Sequence, residues 1–464
     1  MGLAALLPAL ALAAVGSAAA VLPRDAGHSQ NFYSLQVEQV HRVQPLRKRD
    51  TSVTLYNITD TSYLVQLSIG TPGQLVKVAI DTGSDELWVN PDCQDTSLQA
   101  SQAQECLADG LYDPTKSSTS SQSGLSAKTT SIKYGIGDVK LSYVKDTISL
   151  PGGTKAASVT NAQFGMATST EDLNEGILGL SYGLNTNLNY SNFIDELESQ
   201  GVTNSKAFSV ALGSDKASDG GVIIFGGVDT KKFTGKLSTH AILGPQFTGD
   251  INRYYLPLAS VGVDRGSGNT KTYSTGTVAV VLDSGSSLSY LPDAVAKAMA
   301  RDFGATFSQR SGVYIVPCSQ QKTAGNFQFA FGTAGNTATF SVPIDDFIVD
   351  LGGDTCILGA TTNGGTATDP VLLGDSFMRS VYVVFDQTTD TVSIAPYANC
   401  GQNEQAIPKT GAANFTGECD PGATSGSSSG STTKPNAAAN WRQSASRAAA
   451  AAAAMLAVAV AAAL

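Results

Sequence analysis

The sequence predicts an all-β fold: two similar lobes with a cleft between them and a few short helices. Three observations carry this. The first is a repeat, in which Val78-Ala-Ile-Asp-Thr-Gly-Ser-Asp-Glu-Leu-Trp-Val89 is answered later by Val278-Ala-Val-Val-Leu-Asp-Ser-Gly-Ser-Ser-Leu288. The second is length, since 464 residues exceed what one compact core accommodates. The third is patterning: most of the chain alternates apolar and polar residues or breaks at Gly, Asn and Ser, as strands and turns do.

In each copy of the repeat a β-branched run reads as a buried strand ending at an aspartate, Asp81 or Asp283. Gly83 and Gly285 permit a tight turn there, and the hydroxyls of Ser84 and Ser286 can donate to a carboxylate. One such turn is unremarkable. Two, each on an apolar strand, predict halves packed face to face with Asp81 and Asp283 brought together at the seam. Carboxylates at short range share a proton, so one can take a proton from water while the other polarises a carbonyl.

On these two motifs, with Gly176-Ile-Leu-Gly-Leu180 and Val371-Leu-Leu-Gly-Asp375 as a second internal repeat, the chain resembles the pepsin-type aspartic endopeptidases from about Tyr63 to Tyr397. More narrowly it resembles their fungal, yapsin-like, surface-anchored branch. The resemblance implies a pepsin-like bilobal fold in which the second repeat threads beside the catalytic turns. It also implies that Thr82 and Ser284 brace those turns, and that no metal or cofactor is used. A flap hairpin is implied over Ile132–Leu141, with Tyr134 closing over peptide, Gly135 giving it freedom and Trp88 hydrogen-bonding beneath it. Ile136-Gly-Asp138 departs from the small hydroxyl residues more common at that tip.

Composition narrows the alternatives. Of three histidines only His240 lies beyond residue 50, so a two-histidine metal site is excluded from the mature chain, HExxH does not occur, and any Ser-His-Asp triad would have to use His240. Residues 50–436 hold 22 Lys plus Arg against 37 Asp plus Glu, a net of −15, which argues against nucleic acid as a partner and suits work in acid.

In chain order, residues 1–20 read as a signal peptide, although no Lys or Arg precedes the apolar run. Residues 21–49 are relatively basic and end Leu46-Arg-Lys-Arg49, which reads as a propeptide with a dibasic processing site, expected to cover the acidic cleft; an exposed basic loop is the alternative. The N-terminal lobe is expected over 50–240 and the C-terminal lobe over 241–400. Ser191–Gln200 and Pro292–Phe303 are expected helices, each stopped by a glycine. Asp85, Glu86 and Asp138 are acidic groups beside the expected cleft, and they raise a preference for basic substrate residues; the alternatives are that Asp85 and Glu86 turn away from substrate into local hydrogen bonds and that the usual liking for large apolar residues dominates.

Six cysteines in a secreted chain imply disulfides, and sequence neighbours are the simplest pairing: Cys93 with Cys106, Cys318 with Cys356, Cys400 with Cys419. The second pair also matches one common in the family. Asn57, Asn189 and Asn414 head N-glycosylation sequons. Residues 401–436 turn to Gly, Ser, Thr, Ala and Pro and read as a flexible stalk. Residues 437–464 end in an uncharged, mostly alanine run, shorter than the ~20 apolar residues a spanning helix needs. The small residues from Asn436 fit removal of this tail in exchange for a glycosylphosphatidylinositol anchor; a weak span or a plain terminal helix are the alternatives.

The expectation is therefore a monomeric, secreted, surface-anchored aspartic endopeptidase, made as a zymogen, acting on proteins or peptides in acid. Its rivals are a catalytically inactive wall-bound relative and a glycosidase using the same two carboxylates, which would need them further apart.

Overall fold

A computed structural model describes residues 31–41 and 61–420, apart from 94–99, 136, 152–156, 172, 215–220, 245–250, 267, 274–275, 334 and 366–369. The signal peptide, most of 21–49, Asn57, Asn436 and the tail 437–464 lie outside the described residues. What is described is mostly strand, with short helices, and forms a bilobal pepsin-like β fold.

Two large sheets divide the work. A thirteen-stranded sheet carries nearly all strands up to Ala241, and an eight-stranded sheet carries most of those after Tyr255. The division is not purely sequential. Val381–Asp386 and Thr391–Pro396 return to the first sheet, where the former pairs antiparallel with Ala207–Ala211 and the latter with Ser238–Ala241. Alternation explains why they settle there: Val381, Val383, Phe385, Val392 and Ile394 are all buried, and Phe385 stacks on Phe208 at a centroid distance of 5.0 Å.

Asp81 ends the strand Gln74–Asp81, and Asp283 follows the strand Val278–Leu282. Each of these strands has a parallel partner from the second repeat, Gly176–Gly179 against the first and Leu372–Leu373 against the second. The glycines in those partners are there for space: a Cβ on Gly179 would meet the Glu86 nitrogen at 2.3 Å, and one on Gly374 the Ser286 oxygen at 2.1 Å.

The helices fall at Phe193–Ser199, capped by Asn192 in a capping box, and at Asp293–Asp302. All three expected disulfides are formed.

Two expectations are corrected. The described part of the basic leader, Tyr33–His41, does not lie over the cleft. It is a strand within the first sheet, paired with Gly221–Phe225 on one side and Thr61–Ile69 on the other, because Leu35 and Val37 bury their side chains there. Likewise residues 401–420 are not stalk. Glu404–Ala406 pairs with Gly227–Asp229, Ile407 and Ala412 join Phe233 and Tyr382 in a small core of their own, and Cys419 is tied to Cys400.

Candidate active site

The two aspartate turns are built alike. Gly83 N–H donates to Asp81 Oδ1 at 2.8 Å and the Ser84 hydroxyl donates to Oδ2. In the second copy Gly285 N–H donates to Asp283 Oδ1 at 2.9 Å and the Ser286 hydroxyl to Oδ2 at 2.8 Å. Each carboxylate is thus aimed by a backbone and a hydroxyl donor from its own turn.

The turns are also bolted to each other. Thr82 Oγ1 donates to the Leu282 carbonyl at 2.7 Å, and Ser284 Oγ donates to the Ile80 carbonyl at 2.9 Å. The same hydroxyl oxygens accept from the opposite backbone, Ser284 N–H to Thr82 Oγ1 at 3.0 Å and Thr82 N–H to Ser284 Oγ at 3.2 Å. Four hydrogen bonds, related by a local twofold, hold the strand ends together.

The proximity that results is legible at the glycines. A Cβ on Gly83 would sit 2.7 Å from Asp283 Oδ1, and a Cβ on Gly285 would sit 2.5 Å from Asp81 Oδ1. Each carboxylate therefore lies against the other's turn, and only glycine leaves room for it. Burial, and then the neighbouring Asp81 charge, push the Asp283 carboxyl up to about 7, although Ser286 and Gly285 donate to it. Asp283 keeps some accessible surface, as a residue at the floor of an open cleft would, while Asp81 is buried.

This arrangement has a counterpart among known proteins. The sequence profile described as “Eukaryotic aspartyl protease” matches residues 62–397. The chain belongs to the eukaryotic aspartyl protease family. The “Probable aspartic-type endopeptidase opsB” of Aspergillus oryzae is 34% identical over 378 residues, covering 77% of this chain and 73% of that protein. The “Secreted aspartic protease 8” of Candida albicans is 35% identical, covering 79% of this chain and 84% of that protein. The “Acid protease” of Saccharomycopsis fibuligera is 33% identical, covering 75% and 84%. The chain is an aspartic-type endopeptidase, a peptide-bond hydrolase with protein substrates.

In this aspartyl protease the hairpin expected around Tyr134 is formed by Thr129–Lys133 against Asp138–Leu150, and Tyr134 N–H closes its turn onto the Gly137 carbonyl at 3.0 Å. Ile136 lies outside the described residues. Trp88 Nε1–H donates to the Tyr134 hydroxyl at 2.8 Å. Trp88 is fully buried with Val139, Leu141 and Ile177, and Ile132 and Tyr134 pack against that cluster, so the base of the hairpin is anchored while Gly135 at its end is exposed. Burial first, and the Asp81 charge second, push the Tyr134 hydroxyl well above its ordinary range, which keeps it a neutral donor.

Two of the three acidic groups expected to face substrate are engaged inside the aspartyl protease instead. Asp85 Oδ1 accepts from Arg253 Nη1 at 2.8 Å and from Asn187 Nδ2 at 2.9 Å. Glu86 Oε2 accepts from the Tyr190 hydroxyl at 2.6 Å and from the Tyr143 hydroxyl. A carboxylate so close to an apolar seam needs donors, and these partners supply them. Asp138 remains on the hairpin, opposite Lys133 in one strand and Glu171 in the other. Arg253, Asn187, Tyr143 and Tyr190 escape notice in the sequence because each meets its acidic partner only through the fold.

Proposed function

We propose that Asp81 and Asp283 are the catalytic pair of this endopeptidase and that they share a single proton. The ionised member takes a proton from a water that attacks the scissile carbonyl, and the protonated member polarises the carbonyl oxygen. No covalent intermediate forms. The observation that carries this reading is the reciprocal approach of each carboxylate to the other turn's glycine. Tyr134, Gly135 and Trp88 act as lid and lid support over the bound peptide.

Secretion, work in acid, zymogen processing after Arg49 and lipid anchoring near Asn436 complete the proposal. They are supported by the sequence signals and by relatives named secreted aspartic protease and acid protease. Asn189 and Asn414 are exposed, as glycan acceptors must be. A cut after Arg49 frees a segment whose strand Tyr33–His41 is paired on both edges, so maturation must replace that strand or retain the cut piece.

The test is Asp81→Asn and Asp283→Asn, each purified in the secreted form and assayed on a mixed peptide library in acid. Loss of cleavage in both, with unchanged binding-competent fold by circular dichroism, is the expected result. Near-normal cleavage by either variant would sink the mechanism.

A further inference from the structure

Directly behind the Asp81 turn, an ion pair spans the seam between the two sheets. Asp85 lies four residues past Asp81, and Arg253 lies two residues before the strand Tyr255–Asp264 of the second sheet. Their side chains are 12% and 17% exposed, so water screens the pair weakly. That second-sheet strand runs antiparallel to Val278–Leu282, with Tyr255 opposite Val281, two residues short of Asp283. The ion pair therefore joins chain close to one catalytic aspartate with chain leading past the other.

The joint is reinforced from both sides. Asn187 Nδ2 donates to Asp85 Oδ1 and, at 2.8 Å, to the Asn252 carbonyl, while Asn252 N–H donates back to Asn187 Oδ1 at 3.1 Å. Arg253 Nη1 also donates to the Asn252 carbonyl at 2.8 Å. Behind them Asn192 Nδ2 donates to the carbonyls of Asp85 and Ser181, and Ser181 N–H donates to the Ser84 carbonyl at 2.9 Å. Tyr254, next to Arg253, donates its hydroxyl to the Leu180 carbonyl at 2.7 Å, and Leu180 N–H donates to the Asp81 carbonyl at 2.8 Å. The chain following the first turn is thus tied through this cluster to the lead-in of the second sheet.

Resting on the reading of Asp81 and Asp283 as the catalytic pair, we propose that Asp85 and Arg253 form a charge-balanced positioning strut, which fixes the span between the two aspartate turns and keeps the field beside Asp81 neutral. The Thr82 and Ser284 hydrogen bonds hold the strand ends; the strut holds the turn one step further out, against the pull of substrate binding. Charge balance matters because Asp85 and Asp81 interact through space. Burial pushes the Asp85 carboxyl up, the Arg253 guanidinium and Asn187 oppose this, and the Asp81 charge adds to it. Other titratable groups around this spot are Tyr254, Tyr182 and Tyr255, whose hydroxyls are also pushed up by burial, Glu86, held by Tyr143 and Tyr190, and Asp195, which accepts from Asn192 N–H. Arg253 is the cation that compensates Asp85 here.

The test compares Arg253→Gln, Asp85→Asn, Arg253→Lys and the double variant Asp85→Asn with Arg253→Gln, beside Asp283→Asn, on one peptide substrate across pH. Loosening the span costs reaction more than binding, so Arg253→Gln and Asp85→Asn each lower kcat on the order of ten- to a hundredfold, with KM changed less than about twofold. The alkaline limbs move in opposite directions. Arg253→Gln removes a cation and shifts the limb up, whereas Asp85→Asn leaves a cation uncompensated and shifts it down, each by roughly half to one pH unit. Arg253→Lys keeps the limb at its wild-type position. If a single variant does not fold, the neutral double variant decides: it returns the limb to the wild-type position with kcat still lowered. Limbs that stay put or move together, a change confined to KM, or wild-type kcat in the double variant would each overturn the strut. Activity in Asp283→Asn would instead overturn the catalytic reading on which it rests.

Discussion

Thr82 and Ser284 exchange hydrogen bonds through side chain and backbone alike, so each hydroxyl is both a donor to, and an acceptor from, the opposite turn. Thr82→Val keeps the shape and removes the hydroxyl. It leaves the buried Leu282 carbonyl and Ser284 N–H without those partners, at a cost of about 1–3 kcal/mol. Chemical denaturation should show that loss, and kcat should fall with it because the span between the aspartates relaxes. A variant of full stability and full kcat would show that the backbone alone holds the turns together.

The raised Asp283 carboxyl gives a pH dependence whose sign can be stated. On the proposed mechanism a pair holding one proton is the competent form, and it loses that proton as pH rises through about 7, so kcat/KM should fall across that range. Stability follows the same group. Its folded-state value lies above the ordinary carboxylate value of 3.8, so its contribution is fully present below about pH 4 and is lost as pH rises towards 7. Asp283→Asn cannot ionise. Between these pH values the wild-type protein should lose on the order of 1–3 kcal/mol more stability than the variant, measured by urea denaturation. Equal losses in both proteins would place the responsible carboxyl elsewhere.

Glu86 is spent on Tyr143 and Tyr190, which bears on specificity. Removing its charge while keeping an acceptor, as Glu86→Gln does, should leave the relative cleavage at Lys, Arg, Phe and Leu sites unchanged in library profiling. The same change should weaken the fold, since the two hydroxyls that donate to one charged carboxylate oxygen then donate to a neutral amide oxygen; about 1–2 kcal/mol is expected. A lowered preference for basic sites would mean that the Glu86 charge reaches substrate after all.

What could be read in the sequence was local. Asp81 and Asp283, with Thr82, Ser84, Ser284 and Ser286, stand in short stretches where an apolar strand meets a small-residue turn, and the repeat itself announces the symmetry. In the sequence the Asp85 and Glu86 side chains look like free cleft charges because their partners are distant: Arg253 is 168 residues from Asp85 and Tyr190 is 104 from Glu86. Pairings of that span leave no periodicity or spacing to detect. Tyr33–His41 was hidden by its basic surroundings, although its alternation is a strand's, and only Leu35 and Val37 are needed to seat it. In residues 401–420 the composition is that of a linker, yet two buried apolar side chains, Ile407 and Ala412, a strand pairing and a disulfide seat it on a ready surface.

That last segment supports a prediction of its own. Ile407 and Ala412 cover Phe233, Val228 and Tyr382, and the Phe233 and Tyr382 rings stack at 4.9 Å. Thr230 accepts at its carbonyl from Glu418 N–H at 2.7 Å, and Asp229 Oδ1 accepts from Asn403 N–H at 2.7 Å. Ending the chain after Pro421 keeps all of these contacts, so its thermal midpoint should match that of the full chain. Ending it after Cys400 removes the apolar cover, the strand Glu404–Ala406 and the Cys400–Cys419 bridge together. Burial of Ile407 alone contributes roughly 1.5–3 kcal/mol, and loss of a native disulfide typically costs about 2–5 kcal/mol. The shorter form should therefore melt well below the longer one in calorimetry, although no aspartate has been touched. Equal melting of the two would mean that residues 401–420 lie on the surface without supporting it.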